Sequence, residues 1–332
     1  MSLRRLVLRR IVAGVVAIWA VLSLVFAMFT MTRDYRLGSL LASASRGPDY
    51  DPEAVAEVRE QYLAERGLDR PLHEQYVDWM TNMFTLQWGE SYHTGAEAFP
   101  TVMRATLRTA SYVIPALGLA LLAGLLVGVA VATTDRTIGD RTTRGATYLT
   151  FGLPNFWIGV MVVAAIGTVF LRYEPAFSIR RDPPTIESYQ LPFAYEYVLP
   201  TLLVTSTLLA GMVSYSRAYS LQYVSTDRAK QIRAKGGGRL AVARHVLRNA
   251  AIPLVSLAFA ETLALLAIAV FVLEALFGID GLGLLFYNAV WTRDLPVLMG
   301  GTMVIVATGV VGNVLQDLAY SVLDPRVDTG AR

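Results

Sequence analysis

The sequence contains no cysteine and only three histidines among its 332 residues. Disulfide bonds, thiolate metal sites and thiol chemistry are therefore excluded. His73, His93 and His245 are too far apart in the sequence to indicate a shared site. We accordingly predict no metal ligands in this chain.

Charge is scarce as well: charged residues make up 17% of the chain, against about 25% in ordinary soluble domains. Hydrophobic residues make up 54% and the mean hydropathy is +0.46. A soluble core could not bury so much apolar surface, so the composition indicates a polytopic membrane protein. The net charge of +3 fits basic cytoplasmic loops, and we expect no nucleic-acid partner.

Several motifs that carry chemistry are missing. No G-x-x-x-x-G-K-[ST] phosphate loop occurs, because the glycine run 236–238 lacks the lysine and the hydroxyl residue that would follow. The H-E-x-x-H and G-x-S-x-G patterns are also absent. We therefore predict no catalytic residue and no cofactor site in this chain. Energy for uphill work would have to come from a gradient or from a partner protein.

Long apolar runs replace these motifs. A membrane-spanning helix needs about 20 mostly apolar residues. Six runs meet this requirement, at about 11–32, 109–134, 145–171, 197–216, 253–277 and 295–317. The sequence thus predicts an all-α fold with six transmembrane helices.

Basic residues in the short connections predict the orientation. Four arginines precede the first run, and the segment 217–248 holds eight Lys or Arg with one acid. Cytoplasmic loops carry such an excess, so both termini are predicted to face the cytoplasm. The first run is too long for a signal-peptide core, and we interpret it as a retained helix.

The predicted outer segment, residues 33–104, is long enough to hold structure of its own. Val55, Val58 and Tyr62 are spaced as on one face of a helix, and a second amphipathic pattern follows over 71–83. We predict a small extracytoplasmic helical segment. The pattern fits equally a docking element for a partner and helices that pack on the membrane surface.

A basic loop is predicted at 217–252. Residues 228–235 favour a short helix that ends at Gly236, because glycine commonly follows a helix C-terminus. A second helix over 239–251 would place Leu240, Ala243 and Leu247 on one apolar stripe. By composition alone, an ordinary positive-inside loop remains the alternative.

The order of the residues is more specific. D-R-A-K-Q-I-R-A-K-G, at 227–236, followed by R-H-V-L-R-N-A-A-I-P, resembles the EAA signature of permeases from binding-protein-dependent ABC importers. Further stretches resemble that family in the same order: R-G-L-D-R-P-L-H-E-Q-Y, G-L-P-N-F-W-I-G, L-E-A-L-F-G-I-D-G-L-G, R-D-L-P-V-L-M-G and the tail L-D-P-R. The resemblance covers nearly the whole chain and is strongest to the first permease of the dipeptide, oligopeptide and nickel group.

The resemblance implies a type I ABC importer transmembrane fold with known kinds of partner. These are a second homologous permease, two cytosolic ABC ATPases that bind ATP and Mg, an extracytoplasmic solute-binding protein and the lipid bilayer. It also implies a domain plan: 1–32 with the first span, 33–104 outside, 105–320 as the permease domain, 217–252 as the coupling loop and 321–332 as a cytoplasmic tail.

The resemblance assigns site residues by matching positions. The residues expected to contact the ATPase are Asp227, Arg233, Ala234, Lys235 and Gly236. Ala234 and Gly236 match small positions that allow close approach, whereas Arg233 and Lys235 match flanking basic positions. Gly237 and Gly238 depart from the pattern, and we expect them to loosen the turn.

Two acids in the predicted fifth span are candidates for the transport pathway. Glu261 lies mid-span, where the family is usually apolar or neutral, and Glu274 matches a family acid near the outer end. An acid inside a membrane indicates a functional site by default. The alternative function is a gradient-driven secondary transporter or channel that uses Glu261 as an ion or proton site. An intramembrane enzyme is a remote third class, because no nucleophile or metal motif is present.

Overall fold

The computed structural model describes residues 3–32, 34–45, 52–134, 138–169, 194–248 and 270–323. Regular structure in these ranges is helical, apart from an isolated β-bridge between Glu90 and Glu97. The helices before the basic loop are α1 (Leu3–Met31), α2 (Tyr35–Ala44), α3 (Pro52–Glu65), α4 (Leu72–Phe84), α5 (Ala98–Thr133), α6 (Ile138–Gly152), α7 (Asn155–Val169) and α8 (Leu199–Val224). Those that follow are α9 (Asp227–Ala234), α10 (239–248), α11 (Leu282–Thr292) and α12 (Leu295–Leu323).

Among the described residues, four helices are long and apolar enough to cross a bilayer: α1, α5, α8 and α12. A fifth candidate is a bent pair, in which Val270–Phe277 and Leu282–Thr292 meet at 78°. Large apolar side chains on these helices are open to the surroundings, and Ile114 of α5 is 66% exposed. Such surface is stable in lipid rather than in water, so the predicted all-α, polytopic membrane class is confirmed.

Two predicted spans differ from the structure in detail. The run 145–171 is not one continuous helix, because α6 ends at Gly152 and α7 begins at Asn155. Pro154 separates them, since proline lacks the amide that a helix interior requires. Of the run 253–277, only Val270–Phe277 is described. The short helix α11 lies in a region that the sequence predicted to be a connection.

The chain forms two compact units. The first unit contains Met1–Arg5, Leu107–Leu284 and Val311–Arg332. One of its buried clusters joins α5, α8 and the helical stretch Val270–Phe277, through Tyr112, Ala116, Leu203, Val204, Leu208, Leu273 and Phe277. A second cluster lies where the basic loop packs against α5.

Helices α5 and α8 approach each other closely at two glycines. A Cβ on Gly124 would overlap Met212, and a Cβ on Gly128 would overlap Ser216. The spacing is G-x-x-x-G, which places both glycines on one helix face and lets two backbones come together in a membrane. Ser216 Oγ donates a hydrogen bond of 3.1 Å to the Leu125 carbonyl at the same place.

The second unit contains Leu6–Thr106 and Leu285–Val310. The two helices predicted in the outer segment are confirmed as α3 and α4. Tyr62, Met80 and Met83 of these helices are buried. Tyr76 of α4 contacts α1, where its hydroxyl and Ser23 Oγ lie 2.8 Å apart.

Candidate coupling site

Helix α9 begins directly after the long helix α8. Thr226 caps it, with an extended backbone and a side-chain oxygen that accepts a hydrogen bond from the Ala229 amide at 3.4 Å. A threonine in this position satisfies one of the free amides of the first turn. Asp227 follows in the first turn, where a negative charge is favourable. The predicted helix at 228–235 is confirmed to within one residue at each end.

Helix α9 ends at Ala234 and is followed by a tight turn at Gly236. Gly236 has φ +80°, its amide donates to the Arg233 carbonyl, and the Gly237 amide donates to the Ile232 carbonyl at 2.8 Å. This pair of hydrogen bonds defines a Schellman motif. The looser turn expected from the extra glycines is therefore wrong: a Cβ on Gly237 would overlap Ile232, so this glycine permits close packing.

Helix α10 holds the loop against the rest of the unit. Val242 and Val246 are 2% and 0% exposed, and they form a buried cluster with Ala229 of α9 and Val129 of α5. The apolar stripe predicted for α10 is thus partly wrong. Ala243 and Leu247 pack against the cluster, but Leu240 is 83% exposed, because the buried face of α10 is centred on the two valines.

We use the name basic elbow for α9, the glycine turn and α10, residues 227–248. The five residues that the family resemblance assigned to ATPase contact all lie on its exposed surface: Asp227, Arg233, Ala234, Lys235 and Gly236. A Cβ on Gly236 would meet no atom within 4 Å, so a partner protein could approach the glycine turn closely. The elbow can therefore present a basic, small-residue surface on a buried apolar support.

Asp227 lies on this surface together with Lys230. The Lys230 ammonium lies 2.9 Å from the Asp227 carboxylate, and the two side chains are 67% and 89% exposed. Their hydrogen bond lowers the pKa of Asp227 below its ordinary value. Since exposed pairs of this kind contribute little to stability, Asp227 and Lys230 remain available to a partner protein.

Glu274, one of the two predicted pathway acids, is fully buried. Its carboxylate accepts hydrogen bonds from the Thr109 hydroxyl at 2.6 Å and from the Tyr112 hydroxyl at 2.5 Å, both on Oε1. Oε2 accepts from the amides of Gly283 and Leu284, at 2.6 and 3.0 Å. These groups, Thr109, Tyr112, Glu274, Gly283 and Leu284, are called the Glu274 cluster below.

Sequence reasoning found Glu274 but not its partners. Thr109 and Tyr112 precede it by 165 and 162 residues, and no local pattern connects positions so far apart. The other predicted pathway acid, Glu261, lies outside the described residues. The pathway roles of both acids stay predictions.

Arg293 and Asp294 join distant parts of the second unit. The Arg293 guanidinium donates to the Thr32 hydroxyl at 2.9 Å and to the Phe29 carbonyl at 3.1 Å, beside the end of α1, where a cation is favourable. Asp294 accepts from the Ser91 hydroxyl and from the amides of Tyr92 and His93. The R-D pair of the R-D-L-P-V-L-M-G stretch thus holds two chain segments.

An aromatic cluster adjoins this pair. The Arg66 guanidinium carbon lies 3.8 Å from the ring centre of Tyr62 and 4.7 Å from that of Tyr92. Burial raises the pKa of the Tyr92 hydroxyl above its ordinary value.

Within the described ranges, no group of three histidine or acidic side chains could hold a metal ion.

Comparison with known families identifies the chain. Residues 98–329 match the family described as binding-protein-dependent transport system inner membrane component. Residues 3–112 match the N-terminal family of the same membrane components. Together the two matches cover both units.

Individual relatives are similar over most of their length. The oligopeptide transport system permease protein AppB of Bacillus subtilis is 28% identical over 84% of this chain and 87% of its own. A peptide permease protein of Brucella ovis is 31% identical, over 80% and 82%. The metal-staphylopine import system permease protein CntB of Staphylococcus aureus is 26% identical, over 86% of each chain.

The family matches, the apolar helices and the order of the motifs agree. The chain is a multi-pass cell-membrane protein and a subunit of a transporter. It belongs to the inner membrane components of binding-protein-dependent transport systems, as a permease subunit of an ABC importer.

Proposed function

We propose that this permease imports peptides. Support comes from the names of two relatives, which are an oligopeptide permease and a peptide permease. The third relative imports a metal complex of staphylopine, which makes a metal chelate the second substrate class to test. In this proposal, the solute-binding protein delivers either class of substrate and contributes to the selectivity.

The basic elbow is proposed as the site that couples the permease to its ATPases. One observation carries this proposal. Residues 233–236, which we call the corner, are exposed, and the elbow that contains them is anchored by the buried side chains of Ala229, Val242 and Val246. A force applied to the corner would reach α5 through Val129, since the four residues pack as one cluster. A loop that served only to carry positive charge on the inner side of the membrane would not need this buried apolar cluster.

The proposed complex contains a second homologous permease and two cytosolic ATPases, which bind ATP and Mg. A solute-binding protein delivers substrate to the side that carries α2, α3 and α4. Both termini and the basic elbow face the cytoplasm in this arrangement. We expect no cofactor to bind to the permease chain itself.

Transport in this proposal follows alternating access. The ATPase pair closes on ATP, pulls or pushes the elbow, and changes which side of the pathway is open. A ligand can drive such a change only through different affinities for the two states. ATP must therefore bind the closed ATPase pair more tightly, and the substrate must leave more readily when the pathway opens inward.

Uptake of a labelled dipeptide by proteoliposomes that contain the whole complex tests the proposal. Uptake that requires ATP and the binding protein supports it. Uptake that persists without ATP and follows an ion gradient contradicts it and favours the secondary transporter, in which Glu261→Gln would abolish transport. ATP-driven uptake of a staphylopine–metal complex, without dipeptide uptake, contradicts only the substrate class.

A matched pair of variants tests the elbow. Ala234→Trp places a large side chain on the corner and is expected to abolish ATPase-driven uptake while the permease still folds. Leu240→Trp introduces the same side chain at another exposed elbow position and is expected to retain uptake. Equal uptake in the two variants would contradict the coupling role of the corner.

A further inference from the structure

Glu274 is an acid in a place that should exclude one. Its side chain is fully buried, among the apolar residues Leu273, Phe277 and Ile279. A carboxylate in such surroundings is strongly destabilising unless hydrogen bonds replace its lost water. Hydrophobic packing therefore does not explain why a glutamate occupies this buried position.

The Glu274 cluster provides a complete set of donors. Each carboxylate oxygen accepts two hydrogen bonds, from two hydroxyl groups on Oε1 and two amides on Oε2. No exposed surface and no unused oxygen remains on Glu274 for a passing solute. The carboxylate is engaged by the chain's own groups.

The two amides identify what the carboxylate does. Gly283 and Leu284 lie in the first turn of α11, whose amides have no partner within the helix. Glu274 accepts from both, so it caps α11 from the preceding helical stretch. The Leu282 amide donates to the Thr109 hydroxyl at 2.8 Å, and this bond ties the same turn to α5.

The glycines between the two helices make this geometry accessible. Gly278 has φ +63° and ends the stretch Val270–Phe277, with the Ile279 amide donating to the Glu274 carbonyl. A Cβ on Gly281 would overlap the Glu274 carboxylate, and one on Gly283 would lie 2.9 Å from Phe271 Cα. The L-E-A-L-F-G-I-D-G-L-G stretch therefore encodes a capped bend.

We propose that Glu274 is a positioning residue, which fixes the bend between Val270–Phe277 and α11 and joins it to α5. In this role it does not contact substrate. Residues 109–112 of α5 and the bend move as one body in every state of the transport cycle. The proposal needs the chain to be an importer permease but does not depend on peptides being the substrate.

Three substitutions separate this role from a charge in the pathway. Glu274→Gln keeps the length and the acceptor for the two amides, and its NH2 group can donate to the hydroxyl oxygens of Thr109 and Tyr112, so the cap survives. Glu274→Asp keeps the charge but is one methylene too short to reach the same donors. Glu274→Ala removes both charge and cap.

The absence of cysteine permits a direct distance measurement. Ser111→Cys and Asp280→Cys, two exposed positions on α5 and the bend, carry spin labels in the assembled transporter, whose partner subunits have no labelled cysteine. We expect the distance between the two spin labels to have the same narrow distribution in the nucleotide-free and ATP-bound states. Glu274→Gln should keep this distribution and the stimulation of ATP hydrolysis by the binding protein. Glu274→Asp and Glu274→Ala should broaden the distribution and lose the stimulation.

The opposite order overturns the proposal: stimulation kept by Glu274→Asp and lost by Glu274→Gln would assign a role to the charge itself. Narrow distributions in all three variants, or a distance that changes with nucleotide in the parent, would overturn it too. If Glu274→Ala does not assemble, the double variant Thr109→Val with Tyr112→Phe keeps the acid and removes two donors. This variant is expected to broaden the distribution, and a narrow one would contradict the proposed tie to α5.

Discussion

The three consecutive glycines of the basic elbow, residues 236–238, have different structural roles. Gly236 provides a positive φ, Gly237 provides room for Ile232, and Gly238 accepts the first hydrogen bonds of α10 from Ala241 and Val242. Only the first of these tasks forbids a side chain on backbone grounds. The three neighbours can therefore be separated by experiment.

Gly236→Ser is expected to weaken coupling, whereas Gly238→Ser is expected to be neutral. A left-handed backbone costs a residue with a Cβ roughly 1–2 kcal/mol, equivalent to a change of roughly 5–30-fold in the population of the turn. A Cβ at position 238 would meet no atom within 4 Å, and serine suits the start of a helix. The measurement is ATP hydrolysed per dipeptide imported in proteoliposomes. The same ratio in both variants would mean that the turn geometry does not matter for coupling.

Some site residues could be predicted from the sequence and others could not. The turn at Gly236, which terminates α9, follows from a local rule, since glycine is the residue that tolerates a positive φ. Thr109 and Tyr112 could not be found, because their role depends on a residue more than 160 positions away. Ser91 and Tyr92, which Asp294 holds across 203 and 202 positions, were missed for the same reason.

Among the elements, helix position was more predictable than helix continuity. The amphipathic patterns located α3 and α4, whose buried side chains include Tyr62 in α3 and Met80 and Met83 in α4. Hydropathy alone could not show that the run 145–171 is interrupted at Pro154, since both pieces are apolar. It also missed α11, whose first-turn amides at Gly283 and Leu284 donate to Glu274, nine and ten residues earlier in the chain.

The contact between α5 and α8 depends on small residues. Gly128→Leu is expected to lower the apparent unfolding temperature of the purified transporter, because its side chain would overlap Ser216. Overpacking of this kind costs about 1–3 kcal/mol. Gly118→Leu, on the same helix with no atom within 4 Å of an added Cβ, is the control and should leave the temperature unchanged. Equal temperatures for the two variants would show that the α5–α8 contact can relax.

The Asp294 carboxylate accepts hydrogen bonds from Ser91, Tyr92 and His93 of one loop. Asp294→Ala removes the acceptor of the Tyr92 amide, at 3.1 Å, whereas the His93 amide keeps a second acceptor, Ser91 Oγ, at 3.3 Å. A hydrogen bond to a charged group contributes about 1.5–3 kcal/mol, so we expect exchange of the Tyr92 amide with deuterium to accelerate about 10–150-fold. Asp78→Asn is the control, since Asp78 is 50% exposed and pairs with Arg70. Unchanged exchange in Asp294→Ala would mean that other contacts hold the loop.

For the whole molecule, the missing phosphate loop and the basic loop motif bear on the same question, which is where the energy for transport comes from. The sequence contains no phosphate loop, and the chain carries a basic elbow in which α9 and α10 pack on α5 and α8. These two features are consistent with a subunit that shapes the pathway while partner proteins supply the energy. The orientation of the elbow in the membrane is the part of this arrangement that can be tested on the permease chain itself.

Single cysteines can establish that orientation, since the parent chain has none. Leu240→Cys lies on the basic elbow at a site that is 83% exposed, and Glu60→Cys lies on the exposed face of α3. If positive-inside loops decide the topology, a membrane-impermeant maleimide should label Glu60→Cys in intact spheroplasts. It should label Leu240→Cys only after the membrane is opened, and the cysteine-free parent should remain unlabelled in both conditions. Labelling of Leu240→Cys in intact spheroplasts would place the elbow outside the cell, where no cytosolic ATPase could reach it, and would contradict the proposed coupling role.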